Sequence, residues 1–310
     1  MDCRYQPNSG NGTHIANLYA SGRGAYSIFQ TLAYDPTSNL LHAIRVDNTA
    51  TQKMVIESYR WGSGKDLRPV YTSKPTNKIG HQAFAFQYLN GTRYFWTRGG
   101  YDIENQRSLY ARRFQYDLGA DISDVQDFKI FNEEEYNPLG HQNVAISPNY
   151  KVAVFSATRL ATSSRVIRVY DLAVFTEPGD YTDKYLFEFA IPKPYTFALQ
   201  GLATDGKYIY TLDGNENYDN FGRVHVFTLD GQEIINDGRM MLGRLDTKAL
   251  NNTGHYNLFY EQEGLVMLPT STGYELHVIS VAGKLITDSS HADFNKHVNM
   301  IHTSNPNPKP

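Results

Sequence analysis

The sequence predicts an all-β protein, a five-bladed β-propeller built from four-stranded blades. A strand–turn–strand pattern recurs five times at intervals of roughly 50 to 60 residues, which is the period of propeller repeats. The chain also favours strands by composition, with 23 Tyr and 16 Phe against 6 Met and 2 Trp. Several short strands per repeat are typical of a propeller blade.

Each repeat opens with a short apolar alternation that follows a polar residue. The five polar residues are Gln30, Gln82, Gln142, Gln200 and Tyr256, and the residues before them are Phe29, His81, His141, Leu199 and His255. A turn rich in Asp, Asn, Pro and Gly follows, and the five turns read DPTSN, YLNGT, SPNY, TDGK and EQEG. A second apolar run comes after each turn, so each repeat predicts a β-hairpin.

A third alternating segment completes each repeat: KMVIESYRW, SLYARRFQY, RVIRVYDL, GRVHVFTLDG and YELHVISVAG. In the last two repeats a glycine turn leads to a further short strand, which indicates about four strands per repeat. The alternative fold is a β-sandwich with coincidental spacing. A sandwich does not repeat a polar residue and a following hairpin five times, so we favour the propeller.

The repeats run from about residue 27 to about residue 290 without a visible boundary, so we expect one propeller domain over residues 1–310. The acidic stretch at 133–135 is expected to link the second and third blades. One chain end is expected to add a strand to the incomplete terminal blade, because an unpaired edge strand is a liability. Residues 303–310 are predicted to form a disordered tail.

Charge and composition exclude several function classes. The formal net charge is −3, so no basic field is available to collect nucleic acid. No apolar run reaches the length of a membrane span, and no signal peptide is visible at the first residues. The single cysteine, Cys3, excludes an internal disulfide and a thiolate metal site. No cofactor is predicted.

The polar residues that open the repeats define a candidate site. The first strand of a propeller blade lines the central channel, so Gln82, Gln142 and Gln200 are expected near one mouth, beside the histidines of three repeats. Such glutamines either satisfy backbone groups of the neighbouring blade or contact a ligand. A metal site of three histidines is conceivable but not favoured, because the channel can hold them apart. The irregular ring favours one asymmetric site over five identical ones.

A second polar set stands where the second strands end, and it suits sugar recognition. Aromatic rings stack on pyranose faces, while amides and carboxylates pair with hydroxyl groups. The predicted ligand-binding residues from both sets are Gln82, Gln142, Gln200, Arg98, Trp96, Asp213 and Asn215.

The segment Leu199–Tyr210, LQGLATDGKYIY, resembles a strand–turn–strand motif of one group of five-bladed propellers. That group includes receptor-binding proteins of phages that attach to wall teichoic acid, and helveticin-J-type bacteriocins. Gly80-His81-Gln82 and Gly140-His141-Gln142 look similar to the same motif. The resemblance implies a propeller face that binds a polysaccharide or cell-wall glycan. It also implies an extracellular or virion-associated module, which can be part of a larger tail or fibre assembly.

An enzyme acting on polysaccharide is the alternative function. A lyase needs a base beside a uronate and a cation that holds its carboxylate. The residues that offer these groups are His81, His141, His255, Tyr256, Arg98 and Arg159. A hydrolase needs two opposed carboxylates about 5–9.5 Å apart. Its candidates are Asp47, Asp205, Asp213 and Glu261, and their places in the repeats do not single out a pair.

Overall fold

The computed structural model of the chain describes most of its residues. The described ranges are 14–22, 28–48, 53–80, 83–99, 109–137, 142–191, 198–214, 223–239, 257–271, 273–285 and 297–303. Nearly all regular structure within them is β-strand, because alternating Val, Ile, Tyr and Phe suit a pleated surface with both faces buried. One short 3₁₀ turn, Leu172–Val174, follows a strand and is capped by the Asp171 carboxylate.

The described residues form 22 strands. In chain order they are β1 (His14–Leu18), β2 (Thr31–Asp35), β3 (Leu40–Asn48), β4 (Lys53–Arg60), β5 (Asp66–Leu67), β6 (Tyr71–Thr72), β7 (Ala85–Leu89), β8 (Thr92–Arg98), β9 (Tyr110–Tyr116), β10 (Ile122–Lys129), β11 (Val144–Ile146), β12 (Val152–Thr158), β13 (Arg165–Asp171), β14 (Gly179–Asp180), β15 (Phe187–Ala190), β16 (Ala198–Thr204), β17 (Tyr208–Gly214), β18 (Arg223–Thr228), β19 (Glu233–Arg239), β20 (Asn257–Thr270), β21 (Gly273–Leu285) and β22 (His297–Thr303).

These strands make five sheets, which are the five blades. Blades one to four contain β2-β3-β4-β6, β7-β8-β9-β10, β11-β12-β13-β15 and β16-β17-β18-β19, each with its first strand at one edge. Blade five contains β20-β21-β22-β1. Two short strands extend the second and fifth blades in parallel, since β14 pairs with β10 and β5 pairs with β1.

The first strands of the blades form a closed ring around the central channel. Each contacts the next: β2 packs against β7, β7 against β11, β11 against β16, β16 against β20, and β20 against β2. The predicted five-bladed propeller is therefore confirmed. The core is divided into apolar clusters between neighbouring blades, such as the one that joins Trp96 and Phe128 of blade two to Phe155 of blade three.

Blade five is assembled from both ends of the chain. Strand β22 pairs with β21, and β1 pairs with β22 in antiparallel register from His14 opposite His302 to Leu18 opposite Asn299. The expectation that a chain end completes the last blade is confirmed, and both ends take part. Thr303, which the sequence places in the tail, is the last residue of β22, and residues 304–310 lie outside the described residues.

The fifth repeat departs from its predicted strands. The EQEG segment was predicted to turn, but β20 runs through it to Thr270, and the hairpin turn comes at Ser271. Gly264 serves close packing instead of a turn, since a Cβ there would stand 3.1 Å from the backbone oxygen of Gln30 in blade one. The register also shifts between Gln262 and Gly264, as in a β-bulge. YELHVISVAG therefore belongs to the second strand of this blade, not the third.

The chain enters β1 and leaves β22 on the same side of the propeller. This is the side of the hairpin turns between first and second strands, because His277 of β21 lies opposite Thr303. Both strand ends stand at the outer half of blade five and not beside the channel.

The ring closure predicts a large effect of truncating an inward side chain of β1. Leu18 is fully buried in the cluster that joins blade five to blade one. We expect Leu18→Ala to lower the free energy of unfolding by about 2–5 kcal/mol, because it leaves a cavity at the closing strand. Urea denaturation measures this. Asn17→Ala, on the neighbouring partly exposed position, is the matched control, and an equal loss in both variants would contradict the prediction.

Candidate functional site

The register of the five first strands identifies equivalent positions around the channel. Each strand contributes three consecutive residues to a cavity at the hairpin end of the channel: Leu32–Tyr34, Phe84–Phe86, Val144–Ile146, Leu202–Thr204 and Leu265–Met267. The position two residues before each triplet is polar in every blade. It holds Gln30, Gln82, Gln142, Gln200 and Glu263.

This register replaces Tyr256 by Glu263 in the ring. The prediction of Tyr256 as the fifth member depended on a hairpin turn at EQEG, whereas the turn of blade five comes at Ser271. A Cβ on Gly201 would lie 2.8 Å from the backbone nitrogen of Leu265, which sets the start of β16 beside the middle of β20. We call the channel end that carries Gln30, Gln142, Gln200 and Glu263 the polar mouth.

Side chains at the polar mouth connect neighbouring blades. Gln200 Nε2 donates a hydrogen bond of 2.7 Å to Glu261 Oε1, from blade four to blade five. Asn143 Nδ2 donates one of 3.3 Å to the backbone oxygen of Leu199, from blade three to blade four. Of the two roles expected for the glutamines, Gln200 therefore has the structural one. Gln142 differs, because its Nε2 is buried and has no hydrogen-bonding partner among the described residues.

Glu263 has the environment of a neutral carboxylic acid. Burial raises the pKa of its carboxyl well above the usual range, and the charge and hydrogen bond of Glu261 raise this pKa further. A protonated carboxyl has nearly the shape of a glutamine amide and both donates and accepts a hydrogen bond. The polar mouth therefore combines amides with an acid whose burial favours the protonated form.

The residues expected at the rim lie deeper than the sequence indicates. Trp96 is fully buried between Phe128 and Phe175, and its Nε1 donates to Gln87 Oε1 at 2.9 Å. A ring in this position offers no face to a sugar, so a stacking role does not fit it. Arg98 is also buried, and its side chain lies over Gly80, where a Cβ would stand 2.4 Å from the arginine Cγ.

Asp213 also lies below the surface. Its Oδ1 accepts a hydrogen bond of 3.1 Å from the backbone nitrogen of Arg223, and its Oδ2 is 3.6 Å from His225 Nε2. The carboxylate therefore joins the second and third strands of blade four, close to the channel end that carries the polar mouth.

Arg159 belongs to an ion-pair network between blades two and three. It donates to Glu188 Oε1 at 2.5 Å and to the Tyr136 hydroxyl at 3.2 Å, and Arg168 donates to the other oxygen of Glu188 at 2.7 Å. Burial alone would raise the pKa of Glu188, but the hydrogen bond and charge of Arg168, with Tyr136 and Arg159, lower it overall. Arg159 therefore ties blade three to the preceding linker at Tyr136.

Six predicted site residues lie outside the described residues: His81, Gln82, His141, Asn215, His255 and Tyr256. The carboxylates considered for hydrolysis have separate partners. Asp205 holds a hairpin turn through the backbone nitrogens of Lys207 and Tyr208, while Asp47 lies 3.6 Å from Arg45 and Glu261 accepts from Gln200. These contacts do not bring two of the four candidates together as a catalytic pair.

A feature that the sequence analysis missed lies at the other end of the channel. Tyr34, Tyr150 and Tyr274, from blades one, three and five, surround the opening of the cavity, which encloses about 510 Å³ including the part open to solvent. Tyrosines also stand beside the turns of blades two and four, at Tyr88 and Tyr208, so the sequence alone does not single out these three. We call this end the tyrosine mouth.

The fold and the position of the site define a propeller with a narrow channel between two chemically different mouths. The family model described as the phage 5-bladed beta propeller receptor binding platform domain matches residues 76–283. This match covers more than half of the chain. The chain belongs to this family, and the resemblance to phage receptor-binding proteins is confirmed.

Solved structures show the same fold at low sequence identity. The tail fibre of Staphylococcus aureus phage P68 superposes with a TM-score of 0.62 at 15% identity, over 94% of this chain and 52% of that one. A xylan β-1,4-xylosidase from Bacillus halodurans C-125 has a TM-score of 0.52 at 12% identity, over 94% and 53%. An exo-β-1,3-galactanase from Clostridium thermocellum has a TM-score of 0.52 at 9% identity, over 94% and 62%.

The chain therefore spans between about half and two thirds of the length of these proteins. At such identities the likeness concerns the fold alone. No curated protein sequence matches the chain. Within the described ranges, none of the helical structure has the length and apolar character needed to cross a membrane.

The neutral state of Glu263 predicts a pH-dependent effect of replacing it. The unfolded carboxyl ionises near its ordinary pKa of 4.5, whereas the pKa of the folded one is raised, so the contribution of Glu263 to stability is fully present below about pH 4 and is lost as the pH rises through the folded pKa. Glu263→Gln keeps the shape without this penalty. We expect its melting temperature to equal that of wild type near pH 4 and to exceed it increasingly toward about pH 8.

Thermal melts over this pH range measure the difference. Glu134→Gln, at an exposed position of the linker, is the matched control and is expected to show no such trend. A constant difference between Glu263→Gln and wild type at all pH values would contradict a protonated Glu263.

The close approach of blades four and five predicts that Gly201 tolerates no side chain. The methyl group of Gly201→Ala would lie 2.8 to 3.0 Å from backbone atoms of Gly264 and Leu265, which cannot rotate away. We expect a loss of about 1–3 kcal/mol in the free energy of unfolding, measured by urea denaturation. Gly179→Ala is the control, since its new methyl group would meet its nearest neighbour at 3.7 Å. Equal stability of the two variants would disprove the close contact.

Proposed function

We propose that this domain recognises a glycan on the surface of a bacterial host, with the polar mouth as a binding site. Membership of the receptor-binding platform family supports a role in attachment to a host receptor as part of a virion tail. That the receptor is a glycan is a more specific proposal, and it rests on the chemistry of the polar mouth.

The observation that carries the proposal is the buried amide nitrogen of Gln142, which has no partner among the described residues. An unsatisfied buried donor costs free energy, and a hydroxyl or ring oxygen of a ligand that entered this end of the channel would satisfy it. The neighbouring Gln200 and Glu263 both contact Glu261, and an amide or a protonated carboxyl can donate and accept hydrogen bonds without carrying charge itself. Uncharged groups of this kind match the hydroxyls of a saccharide.

The enzyme alternative has less support. Arg159 is held by Glu188 and Tyr136, while Asp47 pairs with Arg45 and Asp205 holds a hairpin turn. The glycosidases of the same fold share too little sequence to carry their activities over. We therefore propose binding without cleavage.

Attachment to intact cells tests the proposal. Fluorescently labelled domain is incubated with a panel of bacterial strains, and strains that retain it are then treated with periodate, which destroys vicinal diols, or with protease. We expect binding that periodate abolishes and protease leaves intact. Binding with the opposite sensitivities would identify a protein receptor, and retention by no strain would also contradict the proposal.

A substitution locates the site. Gln142→Ala is expected to weaken attachment by about 5- to 30-fold, since one hydrogen bond to a buried group is worth about 1–2 kcal/mol. Gln232→Ala, at an exposed turn of blade four, is the matched control and should bind as wild type. Release of shorter saccharides from purified host polysaccharide during incubation would show that the domain cleaves its ligand.

A further inference from the structure

We propose that the tyrosine mouth is a second binding site and that it accepts the ring of an uncharged pyranose. This inference rests on the proposed function, because it assumes that the ligand is a glycan. It places a second binding site at the opposite end of the channel, and it specifies that the sugar unit bound there is uncharged.

The lining of the tyrosine mouth suits the apolar face of a small ring. The cavity volume of about 510 Å³ includes space open to solvent, so a bound ring would lie at the opening and would not be enclosed. Apolar residues of all five first strands form its floor, among them Leu32, Phe84 and Leu265. Aromatic side chains stand around its opening, and rings of this kind pack against the apolar face of a pyranose.

The phenol groups of the mouth lie near one another although they come from three blades. Burial raises the pKa of Tyr150, and electrostatic interactions with Tyr274, Asp35 and Tyr34 raise it further. The same kind of interaction joins Tyr34 to Tyr274. The Tyr34 hydroxyl donates to Asn39 Oδ1 at 2.9 Å, so its oxygen can still accept a hydrogen bond. The opening thus offers hydroxyls beside aromatic faces, which is the combination that a sugar needs.

The backbone at Tyr150 is strained in a way that serves this arrangement. Its φ of 56° lies in the left-handed region, which glycine or asparagine occupies more easily than tyrosine. The turn is held by the Tyr150 backbone nitrogen, which donates to the Ser147 oxygen at 2.8 Å. In this position the ring meets Phe86 of blade two edge to face, with centroids 6.1 Å apart. A glycine or asparagine would form this turn with less strain, but it would not place an aromatic ring over the cavity.

The charges around the mouth select the class of sugar. The described residues that line the cavity include Tyr, Pro, Ser, Thr and Met but no acidic or basic side chain. Asp35, which interacts electrostatically with Tyr34 and Tyr150, is fully buried and has Arg93 at 3.8 Å. An ionised sugar would lose hydration at the mouth without gaining an opposite charge, so an uncharged pyranose is favoured over a uronate or a sugar phosphate.

Saturation-transfer NMR on the intact chain tests the inference. The probes are the methyl glycosides of glucose, galactose and N-acetylglucosamine, with glucuronic acid and glucose 6-phosphate as charged comparisons. We expect saturation transfer to the ring protons of at least one uncharged sugar and none to the charged ones. Tyr34→Ala and Tyr274→Ala should each weaken this binding by about tenfold, because each removes a stacking face.

Two controls separate binding from folding. Tyr71→Ala removes an exposed tyrosine on the outer strand of blade one and should bind as wild type. If an alanine variant fails to fold, the wild-type ring signals of Tyr34, Tyr150 and Tyr274, identified by Tyr→Phe substitution, should shift on addition of the sugar.

Each remaining outcome has a distinct meaning. Sugar binding that survives both tyrosine substitutions but fails in Gln142→Ala would overturn the second site and leave the proposed function standing. So would the absence of saturation transfer and of tyrosine shifts with every uncharged pyranose, while attachment to cells remains sensitive to periodate. Preferential binding of the charged sugars would contradict the proposal that the bound pyranose is uncharged. Loss of all glycan binding by the wild-type chain would remove both proposals together.

Discussion

The pairing of β1 with β22 is the interaction on which the propeller depends. A ring of blades has no free edge only when its last blade is complete, and blade five obtains its outermost strand from residues 14–18. The strand is also held on its other side by the β5 segment, since Asn17 N donates to the Lys65 oxygen at 2.6 Å and Tyr19 N to the Leu67 oxygen at 3.0 Å.

A buried ion pair lies beside this closure, on the side of the polar mouth. Arg45 Nε donates to Glu57 Oε1 at 2.7 Å, and the Tyr59 hydroxyl donates to the other oxygen of Glu57 at 2.6 Å. The Ser21 backbone nitrogen, just after β1, donates to the same carboxylate at 3.1 Å. Removing one member of such a network leaves a buried charge uncompensated, so the closure and the network stabilise each other.

Much of the architecture could be predicted because the repeats obey local rules. Alternation with a turn of Asp, Asn, Pro or Gly marked the hairpins of four blades, and their third strands lie where the alternation indicates. The fifth blade escaped this reasoning because Gly264 has the residue type of a turn but the role of a close contact with Gln30. A single sequence does not distinguish the two uses of glycine, since the contacting backbone is more than two hundred residues away.

The sequence indicated which segments carry the candidate site but not how deeply its side chains are buried. Gln142 lies two residues before β11 and Gln200 lies within β16, so sequence position located both only approximately. Burial depends on how blades pack, and Trp96 points into a core that residues of blade three help to form. The fifth ring position held an acid whose neutrality depends on its burial and on Glu261. The tyrosine mouth depends on residues of three blades that meet only after the ring has closed, so no local pattern in one repeat could reveal it.

The position of the two strand ends has a mechanical consequence. His14 and His302 face each other at one end of an antiparallel ladder, so opposite forces applied at these two points would separate the hydrogen-bonded pairs of β1 and β22 one after another. A ladder loaded in this way resists less than one in which all pairs are sheared at once. The seam that closes the ring is therefore also its weakest line under tension between the two ends. A force that acts on only one chain end and is resisted by a ligand at the channel would not pull β1 and β22 directly apart.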